Sequence, residues 1–179
     1  MTSAQLKAEG QDWLRHKYTG YDKLPGRERR ILAAAWLCDV VKPREQTGSN
    51  DGPVVEAILK NVGLGKGFAW CAAAQALIAD VAKGWRPEEG AAGVMNWVRA
   101  ARNVGRSKSV KNVVRGDLVA KGYGKGMGHI GIVIKRVGPV LWSIEGNTGP
   151  GEEGNQREGQ GMYRRARMAW FWDYGIDGQ

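Results

Sequence analysis

At 179 residues the chain is long enough for one domain with a full hydrophobic core. Its net charge of +9 points to an anionic partner (nucleic acid, a membrane surface or an acidic wall polymer) without choosing among them. Two cysteines exclude a disulfide framework, and the apolar runs are too short to span a membrane or to form a secretory leader, so both thiols are expected free and the chain made in the cytoplasm.

Thr2 or Ser3 is placed to cap a first helix reaching about Lys17, with Leu6, Trp13 and Leu14 on one side. His16, among charged residues of this helix, reads as a surface side chain. A connector over 18–26 carries Thr19-Gly20 and Pro25-Gly26. The second helix, about 27–41, holds Ile31, Leu32, Ala35, Trp36 and Val40, and Cys38 within it reads as packing. Its basic start, Arg27, Arg29 and Arg30, opposes the helix dipole and implies an acidic neighbour or a contact role. After a loop over 43–52, Asp51 is placed to cap a third helix over 53–61.

Gly63-Leu64-Gly65-Lys66-Gly67-Phe68-Ala69-Trp70-Cys71 then empties into an alanine-rich helix. Unpaired N–H groups at a helix start carry partial positive charge, which favours a thiolate at Cys71. The bland alternative is a small buried hydrophobe. The alanines at 72, 73, 74, 76 and 79 allow a close approach to a sheet. Beyond a loop over 84–93 and a short helix over 94–101, six basic and no acidic residues lie between Arg99 and Arg115, the densest positive patch.

From Asp117 the pattern changes to strands, over 117–121, 129–136, 140–145, 161–168 and 169–174, with a glycine-rich segment at 122–128 and a long exposed loop at 146–161. Helices first and strands second predict an α+β domain with an antiparallel sheet. A hairpin centred on Val137 would oppose Ile130 to Ile144, Ile132 to Trp142 and Ile134 to Val140 as an apolar face. The other face would pair Val133 with Leu141, Gly131 with Ser143 and His129 with Glu145. The Gly131–Ser143 pair would leave room for a packed helix. Cys71, His129 and Glu145 then have the composition of a thiol catalytic unit of nucleophile, base and orienting acid, with the Cys71 N–H at the oxyanion hole. An ordinary cross-strand pair between His129 and Glu145 is the alternative. Dispersed cysteines and histidines lack zinc-ligand spacing, and the glycine loops lack the Gly-Lys-Ser/Thr ending of a phosphate loop. Arg115-Gly116-Asp117 reads as a lead into a strand.

The order Trp70-Cys71-Ala72-Ala73, Arg115-Gly116-Asp117-Leu118-Val119, Gly128-His129-Ile130-Gly131-Ile132-Val133 and Ile144-Glu145-Gly146-Asn147-Thr148 resembles the CHAP family. These are cysteine, histidine-dependent amidohydrolases/peptidases, papain-like in fold and related to NlpC-type cell-wall peptidases. The resemblance covers about residues 27–172. It implies N-terminal helices packed on a C-terminal antiparallel sheet, and peptidoglycan cleavage with Cys71 as nucleophile, His129 as base and Glu145 as orienting acid. By the same match Asn147 is an auxiliary polar residue. The segment 45–52 also resembles the loop before the nucleophile in one branch of the family. The acidic calcium-binding run of some members is missing, so no metal and no other cofactor is expected.

The first 22 residues lie outside the resemblance and are expected as a helical extension of a catalytic domain over 23–179. Together these features imply a peptidoglycan amidase or endopeptidase, a phage lysin or an antibacterial effector, monomeric and without stable nucleic-acid binding. Its basic surface would hold anionic wall polymers, and it would reach the wall or periplasm by holin-type release or injection. The competing expectation is a non-catalytic envelope- or nucleic-acid-binding protein on the same scaffold.

Overall fold

The computed structural model describes residues 1–150 and 159–179. Among them, five helices precede a six-stranded antiparallel sheet, so the fold is α+β as the pattern implied. The helices are α1 (Ser3–Lys17), α2 (Gly26–Ala35), α3 (Pro53–Lys60), α4 (Cys71–Ala82) and α5 (Val94–Asn103). The strands are β1 (Ser107–Lys108), β2 (Leu118–Gly124), β3 (Met127–Val137), β4 (Val140–Thr148), β5 (Gly161–Met168) and β6 (Tyr174–Ile176), in the order β1-β6-β2-β3-β4-β5.

Thr2 and Gln5 start α1 by a reciprocal exchange: Thr2 Oγ1 accepts from Gln5 N at 3.2 Å, and Gln5 Oε1 accepts from Thr2 N at 2.8 Å. Leu6 and Leu14 are wholly buried in the main core. Gly10 lets α1 lie against Trp36, since a Cβ there would meet the indole at 2.7 Å. The N-terminal helix therefore shares the core of the chain that follows it. His16 is exposed, as expected. Helix α2 continues into a π-helical turn, Trp36–Val41, that buries Trp36, Leu37 and Cys38. Asp51 does not cap α3. Gly52 holds that position, and the Asp51 carboxylate instead closes its own loop by accepting from Gln46 N, Thr47 N and Thr47 Oγ1. At the centre stands α4, buried along nearly its whole length, packed against α1, α2, α3, β3 and β4. Alanine makes this crowding possible, because its side chain keeps neighbouring backbones close.

The sheet carries two apolar faces. Leu118, Ala120, Ile130, Ile132, Ile144, Met162 and Ile176 join the helices in the main core. Val119, Val133 and Leu141 form a smaller cluster on the other side with Val113 and Trp172. Trp172 reaches that cluster because residues 169–171 form a 3-10 turn where a strand was expected, and β6 begins only at Tyr174.

The β3–β4 register also differs from expectation, by two residues beside His129 and by three next to the turn. The hairpin turns at Gly138–Pro139, Val137 opposes Val140, and a bulge between Val133 and Lys135 shifts the ladder. Ile132 therefore faces Ile144, Gly131 faces Glu145 and Val133 faces Ser143. An even shift keeps every side chain near His129 on its expected face. Past the bulge the pattern breaks, and Trp142 is exposed opposite Lys135. The glycine-rich segment 122–128 closes the β2–β3 hairpin at Lys125–Gly126, both with positive φ (50° and 78°). Residues 146–148 belong to β4 and are buried. Residues 151–158 of the long loop expected there lie outside the described residues.

Asp117, just before β2, is fully buried and accepts from Lys108 Nζ at 2.9 Å, Arg27 Nε at 3.2 Å, Val114 N at 2.9 Å and Gly178 N at 3.1 Å. Arg27 thus has the acidic neighbour its position implied, and the tripeptide leads into a strand.

Candidate active site

Cys71 is the first residue of α4, and its place is fixed from both sides. Trp70 before it is wholly buried and donates from Nε1 to Glu45 Oε1 at 3.0 Å. Glu45 Oε2 accepts from Asn50 N at 2.9 Å, and Gly67 N donates to Asn50 O at 3.0 Å, so the loop at 45–52 is tied to the nucleophile loop. On the sheet side Gly146 admits the helix: a Cβ there would lie 2.9 Å from both Ala74 Cβ and the Trp70 ring. The Cys71 Sγ rests 3.8 Å from Gly128 O, at the start of β3.

His129 follows at once. It is buried, and its Nε2 lies 2.7 Å from Glu145 Oε2. Among the described residues its buried Nδ1 has no partner in hydrogen-bond geometry, and it is the ring nitrogen left for the Cys71 thiol, which is near enough to raise the basicity of the ring. The His129 ring stacks on Trp172, with centroids 6.1 Å apart and planes 14° from parallel.

Glu145 is entirely buried and fully engaged. Oε1 accepts from Ser143 Oγ at 2.6 Å and from Arg167 Nε at 2.9 Å, while Oε2 accepts from Arg167 Nη2 at 2.7 Å. The Arg167 guanidinium lies 4.5 Å from the Phe171 ring and 5.8 Å from that of Trp172. Burial alone would push Glu145 up and His129 down. For Glu145, the bond and charge of His129 and then those of Arg167 overcome burial and hold the carboxyl below its usual range. For His129, bonds to Cys71 and Glu145 together with their charges overcome it and hold the imidazole above its usual range. The pair is therefore an ion pair at neutral pH.

Gly131 explains how Glu145 reaches an imidazole that is not its direct cross-strand partner. A Cβ on Gly131 would lie 2.8 Å from Glu145 Cγ. The space over this glycine is filled by the Glu145 side chain, not by a helix. The carboxylate crosses the bare backbone of β3 to meet His129 on the diagonal.

The thiol lines a cleft of about 310 Å³. Leu64, Phe68 and Ala69 from the nucleophile loop form one wall, and residues 92–94 with 126–128 form the other. The wall is mostly apolar, with Phe68 and Met127 exposed at its rim.

Cys71, His129 and Glu145 are thus brought together. Asn147 is buried nearby with φ 54°, but it makes no hydrogen bond to any of the three, and neither its side-chain N nor its O has a partner among the described residues. Sequence reasoning missed Ser143 as a donor and missed Arg167. Strand alternation carried a signal for Arg167: residues 163, 165 and 167 share the Glu145 face once β5 is registered on β4.

The basic stretch from Arg99 to Arg115 is partly neutralised within the fold. Lys108 pairs with Asp117 and Asp177, Arg115 pairs with Glu28 at 3.0 Å, and Arg102 and Arg106 lie over Tyr174 and Trp85. Among the described residues, no cluster of three or more His, Cys, Asp or Glu is placed to hold a metal ion. No helix among them is long and apolar enough to cross a membrane. Comparison with family models, with curated proteins and with solved structures gives no match to this chain.

Proposed function

We propose that the chain is a thiol-dependent amide hydrolase of papain-like, CHAP-type arrangement, acting on peptidoglycan as an amidase or endopeptidase. The observation that carries this reading is a thiol at a helix start beside a buried, ionised His129–Glu145 pair, opening on a cleft large enough for a peptide segment. The fold requires none of these three to be chemically matched, whereas covalent catalysis requires all of them.

In the reaction, Cys71 Sγ attacks the amide carbon with its proton already carried on His129 Nδ1. Negative charge develops on the carbonyl oxygen, where first-turn N–H groups of α4 supply partial positive charge. The C–N bond breaks, His129 protonates the departing amine, and a thioester remains on Cys71. Water then attacks that thioester while His129 takes its proton, the C–S bond breaks, and the carboxylic acid leaves with the proton again on His129. Glu145 stabilises the imidazolium in both halves. The apolar cleft walls suit a segment bearing small uncharged side chains. The remaining surface cations would retain the protein on anionic wall polymers, an attraction weakened by salt.

Purified peptidoglycan incubated with the wild-type protein, and separately with Cys71→Ala, tests the reading. New amine and carboxyl ends, identified by fragment mass in the wild-type digest only, are expected. An intact polymer in both digests would overturn it.

A further inference from the structure

We propose that Arg167 is a positioning residue, whose fork fixes both oxygens of Glu145 so that Oε2 meets His129 Nε2 and Nδ1 is left facing the thiol. This deepens the thiol-hydrolase reading and rests on it. Arg167 donates to both carboxylate oxygens, with Nε 2.9 Å from Oε1 and Nη2 2.7 Å from Oε2. Ser143 adds a third donor at 2.6 Å. A carboxylate held at three points cannot rotate away when the imidazole moves between its neutral and charged forms.

Guanidinium also stays charged at any working pH, so it opposes transfer of the His129 proton onto Glu145. A buried ion pair by itself is poor stabilisation, since desolvation offsets much of the attraction. Arg167 nonetheless sits under Phe171 and Trp172, and Trp172 is the same ring that covers His129. One pair of aromatic rings therefore covers both partners of Glu145.

The charged and titratable groups facing this carboxylate come from every neighbouring element. His129 from β3 and Arg167 from β5 touch it, Cys71 from α4 acts on His129, and the Tyr123 phenol of β2 feels the charges of Arg167, Cys71 and Glu145. Lys121, also on β2, is tied to Asp173 at 2.8 Å. Loss of the Arg167 charge makes Glu145 easier to protonate and His129 more basic. Both limbs of a pH profile then move upward.

The test is iodoacetamide alkylation of Cys71 across pH, read peptide by peptide, beside hydrolysis of purified peptidoglycan. Arg167→Gln is expected to move both alkylation limbs upward and to slow hydrolysis at neutral pH roughly 10- to 100-fold, as loss of an orienting partner does. Arg167→Lys keeps the charge without the fork, so the limbs hold while hydrolysis still falls several-fold. A folded Arg167→Gln protein with the wild-type alkylation profile would overturn the proposal. So would Arg167→Lys with wild-type hydrolysis, and this second variant decides the matter if the first does not fold. Should wild-type protein cleave no wall amide while Arg167→Gln still moves the alkylation limbs, the hydrolase reading fails and the role of Arg167 stands.

Discussion

The two cysteines sit in similar burial and in different chemistry. Cys38 is 7 % exposed and Cys71 is 2 % exposed, so accessibility does not separate them. Nor does a cavity, because Cys38 lines one of about 400 Å³ with Lys42, Arg44 and Arg164 around it. The difference lies in what the neighbouring cations are doing. Arg164 is paired with Asp39, and Arg44 lies over the Tyr163 ring at 4.2 Å. Burial, then the adjacent Asp39 charge, pushes the Cys38 thiol up to about 12. Around Cys71 the nearest titrating partner is an imidazole that Glu145 keeps protonated, and the residue stands at a helix start rather than inside a π-helical turn. A reactive thiol thus needs a neighbour that can take and return its proton, as the His129 imidazole can and the guanidinium groups around Cys38 cannot.

The largest effect that would break this comparison concerns the thiols themselves. Cys71→Ala and His129→Ala are each expected to reduce hydrolysis of purified peptidoglycan to background, whereas Cys38→Ala retains it. Loss of activity in Cys38→Ala with its fold intact by circular dichroism would mean that the wrong cysteine has been assigned.

Alkylation sharpens the same contrast without any substrate. At pH 7 a thiol with a pKa of about 12 is ionised on the order of one part in a hundred thousand, so Cys38 should react with iodoacetamide very slowly. Cys71, with a base beside it and a cleft before it, should be labelled first and with complete loss of activity. Equal labelling of the two peptides in folded protein contradicts this.

Glu145→Gln keeps the shape of the side chain but removes its charge, and a fall in rate of roughly 10²- to 10⁴-fold is expected. Combining it with His129→Ala should cost little beyond His129→Ala alone, because the residues act as one unit. Stability should respond with a definite sign. The lowered Glu145 value contributes stability above the ordinary carboxylate range that is lost as pH falls through the folded value. The raised His129 value contributes stability below about 6.5 that is lost as pH rises through the folded value. Thermal melting across pH should show both losses in the wild type and flatten in Glu145→Gln.

Much of this arrangement was legible in the sequence, and the limits have physical causes. Period-two alternation in residues 129–134 and 140–145 put His129 and Glu145 on one face, and that survived a register error of two because side-chain direction repeats every two residues. The bulge near Ile134 was not legible, since a bulge depends on how the sheet twists and packs rather than on composition. Asp51 looked like a helix cap by position, yet the nearer donors of its own loop captured it. Arg167 was missed for another reason. Its partner lies 22 residues away on a strand whose pairing no local pattern fixed. Trp142 was assigned to the core as a large apolar residue, but beyond the bulge its side chain faces solvent.

Gly131→Ala gives the smallest change of the set and the finest test of how the two thiol regions differ. At the active thiol a glycine lets the orienting acid cross a strand. An added methyl would lie 2.8 Å from Glu145 Cγ and 3.3 Å from Ser143 Cβ. Relief comes by moving Glu145 Cγ, and with it the carboxylate that Arg167 and Ser143 hold against His129. Overpacking of this kind costs about 1–3 kcal/mol of stability, which a core of this size can absorb. The rate should fall further than the folded fraction does, by about 10-fold or more at neutral pH, because a misplaced orienting group acts on the transition state directly. The measurement is activity per folded molecule, with the folded fraction taken from urea unfolding. A variant destabilised as expected but fully active per folded molecule would show that Glu145 need not cross Gly131 to do its work.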